Sequence, residues 1–161
     1  MLKVLFVCLG NICRSPSAEG IFRDRVAARG LAAQIECDSC GTGGYHKGEA
    51  PDPRAQEAAK SRDIDISDLS ARQIRPSDLK SFHYVLAMDS DNLDDIVSLG
   101  ERSAMSAHVA LLLDYADGVK EQSVPDPYFG GKDGFELMLD LIEVGVDGLL
   151  DAICAEHELG R

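Results

Sequence analysis

No apolar run in the chain approaches the ~20 residues of a membrane-spanning helix, so no membrane role is expected. Positive charge is scarce. Lys and Arg number 16 against 28 Asp and Glu, a net charge of −12. Nucleic-acid binding needs clustered cations, so no nucleic-acid partner is expected, and any positive potential must be local. The five cysteines are an odd count. The N-terminus, Met1-Leu2-Lys3-Val4, runs straight into a strand pattern and lacks a signal peptide's cleavage region. A cytoplasmic location is therefore expected, and a disulfide framework is not. Internal repeats, linkers and low-complexity tracts are absent too. The 161 residues suit a single domain, 1–161.

Metal and nucleotide sites are also poorly supplied. Cys8, Cys13, Cys37 and Cys40 invite a zinc reading, but no His stands at ligand spacing beside either pair. Cys37 and Cys40 fall on one strand pattern, where residues three apart face opposite ways. The glycine-rich run Gly41-Thr42-Gly43-Gly44-Tyr45-His46-Lys47-Gly48 is not followed by a helix in the G-x-G-x-x-G manner.

What the chain does have is one dense stretch, Val4 to Pro16. Val4-Leu5-Phe6-Val7 reads as a buried strand ending at Cys8. Leu9, Gly10, Asn11, Ile12 and Cys13 form a short loop, and Ser15-Pro16 reads as a helix start with Ser15 as its cap. Loop amides beside a helix N-terminus make an anion-binding concavity. Gly10 permits close backbone approach, and Asn11 tolerates the left-handed conformation such a ring needs. The ring and Arg14 favour thiolate over thiol at Cys8. Arg14 can fold back and offer a planar fork to a phosphate, and the Ser15 hydroxyl can bond the sulfur. The pattern Cys-x5-Arg-Ser is that of a nucleophile inside a phosphate cradle.

The rest of the chain alternates helix and strand patterns: helix at 17–29, strand at 32–40, helix at 54–61, strand at 84–88, helix at 93–99, a short strand at 107–111 and a long helix at 133–158. Glu19 lies near a helix N-terminus, where the dipole favours it. Asp89 reads as a helix cap. His46 reads as a solvated loop residue, with a secondary contact at the cleft rim as its alternative, and His108 reads as a structural residue. In the last helix Gly145 and Gly148 interrupt an apolar stripe where another element would cross closely, and its acidic residues read as a solvated face. Val124-Pro125-Asp126-Pro127-Tyr128-Phe129 pins Asp126 between two prolines, as suits a rigidly held general acid or an ordinary turn. The alternation predicts an α/β three-layer sandwich with a four-stranded parallel sheet.

The run Cys8 to Pro16 resembles the signature of the low-molecular-weight protein tyrosine phosphatases residue for residue. The likeness extends to Ser70-Ala71-Arg72-Gln73-Ile74 and to Asp126-Pro127-Tyr128. It implies a sheet order 2-1-3-4 and hydrolysis of protein phosphotyrosine and small aryl phosphates through a cysteinyl-phosphate, with no metal or other cofactor. It assigns Cys8 as nucleophile, Arg14 as phosphoryl ligand and Asp126 as general acid. Residues 9–13 and Ser15 become the phosphate-binding loop, and Tyr45, Tyr128 and Phe129 line the substrate cleft. Cys13 becomes the redox partner of Cys8, and Asp89 supports the loop. The expected partner is a tyrosine-phosphorylated protein, and the expected state a monomer or weak homodimer. Many members carry a His just before the A-R-Q stretch; here those positions are Asp68, Leu69 and Ser70. Ile12 stands where relatives acting on phosphoarginine tend to carry Thr. A thiol-dependent arsenate reductase would need relay cysteines between Tyr84 and Met105, and there are none. A non-catalytic phosphate-binding or redox-sensing module would have no use for Asp126 as a proton donor.

Overall fold

The computed structural model describes residues 1–102, 105–128 and 130–160. Phe129, one of the expected cleft residues, lies outside them. Four parallel strands, β1 (Leu2–Cys8), β2 (Ile35–Gly41), β3 (Tyr84–Ala87) and β4 (His108–Leu111), form one sheet in the order β2-β1-β3-β4. The expected architecture and order are therefore present. The strand carrying Cys8 is central, paired on both sides.

Side-chain alternation along β1 builds the layers. Val4, Phe6 and Cys8 face a core shared with α1 (Arg14–Ala28), α2 (Pro53–Lys60) and α5 (Lys132–His157). Leu5 and Val7 face the opposite core, closed by α3 (Asp78–Ser81) and α4 (Ser90–Glu101). Cys37 packs with the first core and Cys40 with the second, so the two thiols lie on opposite faces of β2.

The helix boundaries correct the sequence reading. α1 begins at Arg14, not Ser17, with Cys13 at the cap position and no side-chain cap bond. Ser15 is thus inside the first turn and does not cap it. β2 starts at Ile35 rather than Ala32, because Gln34 donates back to the Leu31 carbonyl and residues 32–34 form a turn. α3 was not anticipated.

α5 supplies the longest apolar stripe, from Phe135 to Ile153, all buried. Its glycines mark a close crossing. A Cβ on Gly148 would lie 1.8 Å from the Tyr115 carbonyl oxygen, in the 3₁₀ turn Leu112–Tyr115. The acidic face of α5 is not merely solvated. Arg62 pairs with Glu136, Asp140 and Glu143, Arg25 with Glu143 and Asp147, and Arg29 with Asp151. Each exposed pair is worth little alone, but together they tie α5 to α1 through Arg25, to Arg29 at the end of α1 and to Arg62 just after α2. Among the described residues no helix is long and apolar enough to cross a membrane.

Candidate active site

The loop after β1 turns sharply because Asn11 adopts a left-handed conformation, φ 58°. That turn brings the Asn11 amide to 3.3 Å from the Cys8 sulfur, and Ser15 Oγ lies 3.0 Å from the same atom. Ser15 Oγ also accepts from Asn11 Nδ2 at 2.7 Å, which leaves its own proton for the sulfur or for the Cys40 carbonyl at 3.3 Å. A demand from the sulfur, not from a helix end, therefore explains Ser15.

Neighbouring backbone pins the loop from outside. Thr42 donates to the Cys8 carbonyl, Gly43 to the Leu9 carbonyl and Asp52 to the Ile12 carbonyl, at 2.9, 3.0 and 2.8 Å. Gly41 allows this approach, since a Cβ there would lie 2.6 Å from the Leu9 carbonyl oxygen. The Asn11 side chain is saturated. Its Nδ2 also donates to Ser39 Oγ at 3.0 Å, and its Oδ1 accepts from the Arg72 amide at 3.1 Å. The A-R-Q stretch thus reaches the loop through backbone, with no His at residues 68–70.

Arg14 is 3% exposed. Its Nη1 donates to Asp89 Oδ2 at 2.5 Å and to the Val124 carbonyl at 3.1 Å. Burial opposes its charge, but Cys8, Asp89 and Asp126 outweigh this and raise its pKa. Asp89 is both cap and Arg14 partner, for its Oδ1 accepts from the Asn92 amide of α4 at 2.8 Å. The 124–128 segment is anchored where Val124 donates to the Met88 carbonyl at 2.8 Å. Asp126 stands 3.6 Å from Arg14 Nη2, its carboxylate also accepting from the Tyr128 amide at 3.1 Å.

These residues enclose a cavity of about 190 Å³. Cys8, Leu9, Gly10, Ile12, Cys13 and Arg14 line it from the loop side, and Tyr45, Asp126 and Tyr128 from the rim. Asn11 and Ser15 support the loop from behind. Every expected site residue among those described is therefore in the cavity or bonded to it. His46 joins them against the solvated-loop expectation. Its ring lies 6.3 Å from that of Tyr128, and its Nδ1 is 2.8 Å from Glu49. Its place beside Tyr45 on the glycine-rich loop was the available signal. Arg54 was missed altogether. Its guanidinium sits 5.4 Å from the centre of the Tyr128 ring and is held by Asp52. Buried Cys13 is chemically unlike Cys8's pattern of donors: burial first, then Asp52, pushes its thiol up to about 12. It remains protonated at neutral pH.

The sequence profile of low molecular weight phosphotyrosine protein phosphatases matches residues 3–159. The Bacillus subtilis low molecular weight protein-tyrosine-phosphatase YfkJ is 43% identical over 159 residues, 99% of this chain and all of its own. Its crystal structure covers 97% of this chain and 96% of its own with a TM-score of 0.91. The human low molecular weight phosphotyrosine protein phosphatase is 42% identical over 135 residues, 83% of this chain and 84% of its own. A drosophila arginine phosphatase, DARP, matches in structure with a TM-score of 0.90 at 30% identity, covering 94% of this chain and 98% of its own. The chain belongs to the low molecular weight phosphotyrosine protein phosphatase family.

Proposed function

We propose that the chain hydrolyses phosphotyrosine in proteins, and small aryl phosphates, through a cysteinyl-phosphate. The carrying observation is the meeting of the Cys8 sulfur, the Arg14 guanidinium and the Asp126 carboxyl in one small cavity. The Cys8 thiolate attacks phosphorus in line, forming an S–P bond as the P–O bond to the phenol breaks. Asp126 gives its proton to the departing phenolate. Arg14 and the loop amides take up the charge on the equatorial oxygens. Asp126, now a carboxylate, then accepts a proton from water as that water attacks the phosphocysteine. Phosphate leaves, the thiolate is restored, and the hydroxyl of Ser15 stabilises it as leaving group.

Asp89 and the Val124 carbonyl hold Arg14 through Nη1, so Nη2, which faces Asp126 across the cavity at 3.6 Å, is the donor turned toward the substrate. Tyr45 and Tyr128 at the rim suit an aromatic leaving group. Ile12 on the cavity wall offers no polar partner to a guanidinium, which favours phosphotyrosine over the phosphoarginine suggested by the arginine phosphatase neighbour.

The same loop supports redox protection. Peroxide converts the Cys8 thiolate to a sulfenic acid, and the Cys13 thiol condenses with it to a disulfide with loss of water. Hydrolysis of p-nitrophenyl phosphate without added metal, by wild type and Cys8→Ser, tests the scheme. Turnover absent from Cys8→Ser, lost after mild peroxide and recovered with thiol, is expected. No turnover in reduced wild type overturns the reading.

A further inference from the structure

Glu19 is used in no step above, yet it is 6% exposed inside α1. Its Oε1 accepts the Ser39 hydroxyl at 2.7 Å, and Ser39 Oγ accepts from Asn11 Nδ2 at 3.0 Å. The other hydrogen of that amide goes to Ser15 Oγ, which lies against the Cys8 sulfur. A continuous chain of hydrogen bonds therefore joins a buried carboxyl to the nucleophile. Ser39, Asn11 and Ser15 are all buried, so water does not interrupt the chain between the carboxyl and the sulfur.

The surroundings leave that charge poorly compensated. Arg23, on α1, favours the ionised form, but it is turned toward Asp68 and the Asp65 carbonyl. Asp38 on β2 and Asp68 on the loop after α2 disfavour it, and Asp38 is itself tied to Arg72. Cys37 of β2 donates only to the Glu19 backbone carbonyl. Among the described residues no cation is within salt-bridge distance of the Glu19 carboxylate. Burial is the largest influence and raises its pKa, the Ser39 hydrogen bond lowers it, and Asp38 raises it again; the outcome is about 7.

We propose that Glu19 is a proton-linked positioning residue of the anion loop, taking up a proton when the loop binds a phosphate dianion. The inference rests on the phosphatase reading only in taking the Cys8–Ser15 loop as the phosphate cradle. An ionised Glu19 and a bound dianion repel each other through a poorly screened interior. Binding one disfavours the other, and the linkage is reciprocal. Anion affinity therefore falls as Glu19 ionises. The neutral acid keeps an oxygen for Ser39 and leaves the loop's geometry in place.

Inorganic sulfate is the probe, because it stays a dianion across the range that matters. Calorimetry gives its affinity for the full chain between pH 5.5 and 8.5, in buffers of differing ionisation enthalpy to count protons. Wild type should lose on the order of fivefold in affinity as pH rises through an inflection near 7, with proton uptake on binding at and just above it, where affinity falls, and none well below it. Glu19→Gln keeps the acceptor oxygen without the charge and should lack that component. Ser39→Ala removes a bond that favours the ionised form, so its inflection should move to higher pH. A packing role for Glu19 would move neither readout, and Ser39→Ala decides the matter even if the Gln variant does not fold.

Identical pH dependence in wild type and Glu19→Gln overturns the proposal, as does an unmoved inflection in Ser39→Ala. Turnover of p-nitrophenyl phosphate, measured alongside, separates this inference from the reading beneath it. Cys8-dependent turnover with affinity unaffected by Glu19→Gln removes the linkage alone. Linked sulfate binding without turnover removes the phosphatase chemistry alone. The absence of both sulfate binding and turnover removes both, and turnover without sulfate binding removes the linkage alone.

Discussion

Glu19 also carries a stability cost that is measurable with no ligand present. In the unfolded chain its carboxyl titrates near the ordinary 4.5; in the folded chain it is pushed up to about 7. Below about pH 4.5 it is protonated in both states and costs nothing. Between the two values the folded chain holds the proton that the unfolded chain has released, so stability falls as pH rises. Above pH 7 both are ionised and the full cost is present. The gap between 4.5 and about 7, at 1.36 kcal/mol per pH unit, is about 3 kcal/mol. Glu19→Gln removes the charge but weakens the bond to Ser39, which returns about 1 kcal/mol. The variant should thus be more stable than wild type by about 2 kcal/mol at pH 8.5 and no more stable at pH 4.5. For a domain of this size that is roughly 4–8 °C in melting temperature. Urea unfolding at several pH values measures it, with equal m-values required of the two proteins. A stability difference that does not change with pH would show that Glu19 is not a buried, poorly compensated acid, and the reasoning would fail.

Other positions carry sharper local tests. Asp126→Ala should slow turnover most for substrates with poor leaving groups, by about 10²-fold or more, and least for p-nitrophenyl phosphate; equal loss across leaving groups refutes the acid role. Asp89→Asn keeps an oxygen for the Asn92 amide but removes the charge facing Arg14, so kcat/KM should fall roughly tenfold while helix content is retained by circular dichroism. Gly148→Ala should cost more than about 3 kcal/mol in urea unfolding, because its Cβ would meet the Tyr115 carbonyl, a backbone atom that cannot swing away. Iodoacetate at neutral pH should label Cys8 ahead of Cys13, whose thiol burial keeps protonated, as peptide mapping would show.

The parts of this site that sequence revealed are those in which chemistry and conformation are contiguous. Cys8, Gly10, Asn11, Arg14 and Ser15 fall within eight successive positions, so the proposed nucleophile, turn and cradle announce themselves together. The alternation of patterns carried the fold because each strand and helix buries its face with its own periodicity. What escaped were side chains whose reasons lie far along the chain. Ser39 shows no signal of its own on β2, yet its hydroxyl joins Asn11 of the loop to Glu19 of α1. Glu19 near a helix start invites the dipole reading, and only the arrival of Ser39 on β2 shows where its carboxyl goes. Arg62 and the acids of α5 each read as surface charge until folding joins them.

The same division bears on substrate. A phosphotyrosine phosphatase relative and an arginine phosphatase match this fold at TM-scores of 0.91 and 0.90. The two neighbours thus share a fold across differently named activities, so a fold-level likeness does not choose the leaving group of the proposed reaction. The choice falls to the few side chains around the cradle: Ile12 on its wall, Tyr45 and Tyr128 at its rim, and His46 and Arg54 against Tyr128. Three of these five were visible from sequence because they sit beside motif residues. Arg54 was not, and His46 read only as the weaker alternative, because the loop after β2, the first turn of α2 and the segment before α5 must converge before either meets the Tyr128 ring. Under the proposed function, specificity therefore rests on side chains that converge from separate segments, and those segments share no local signal.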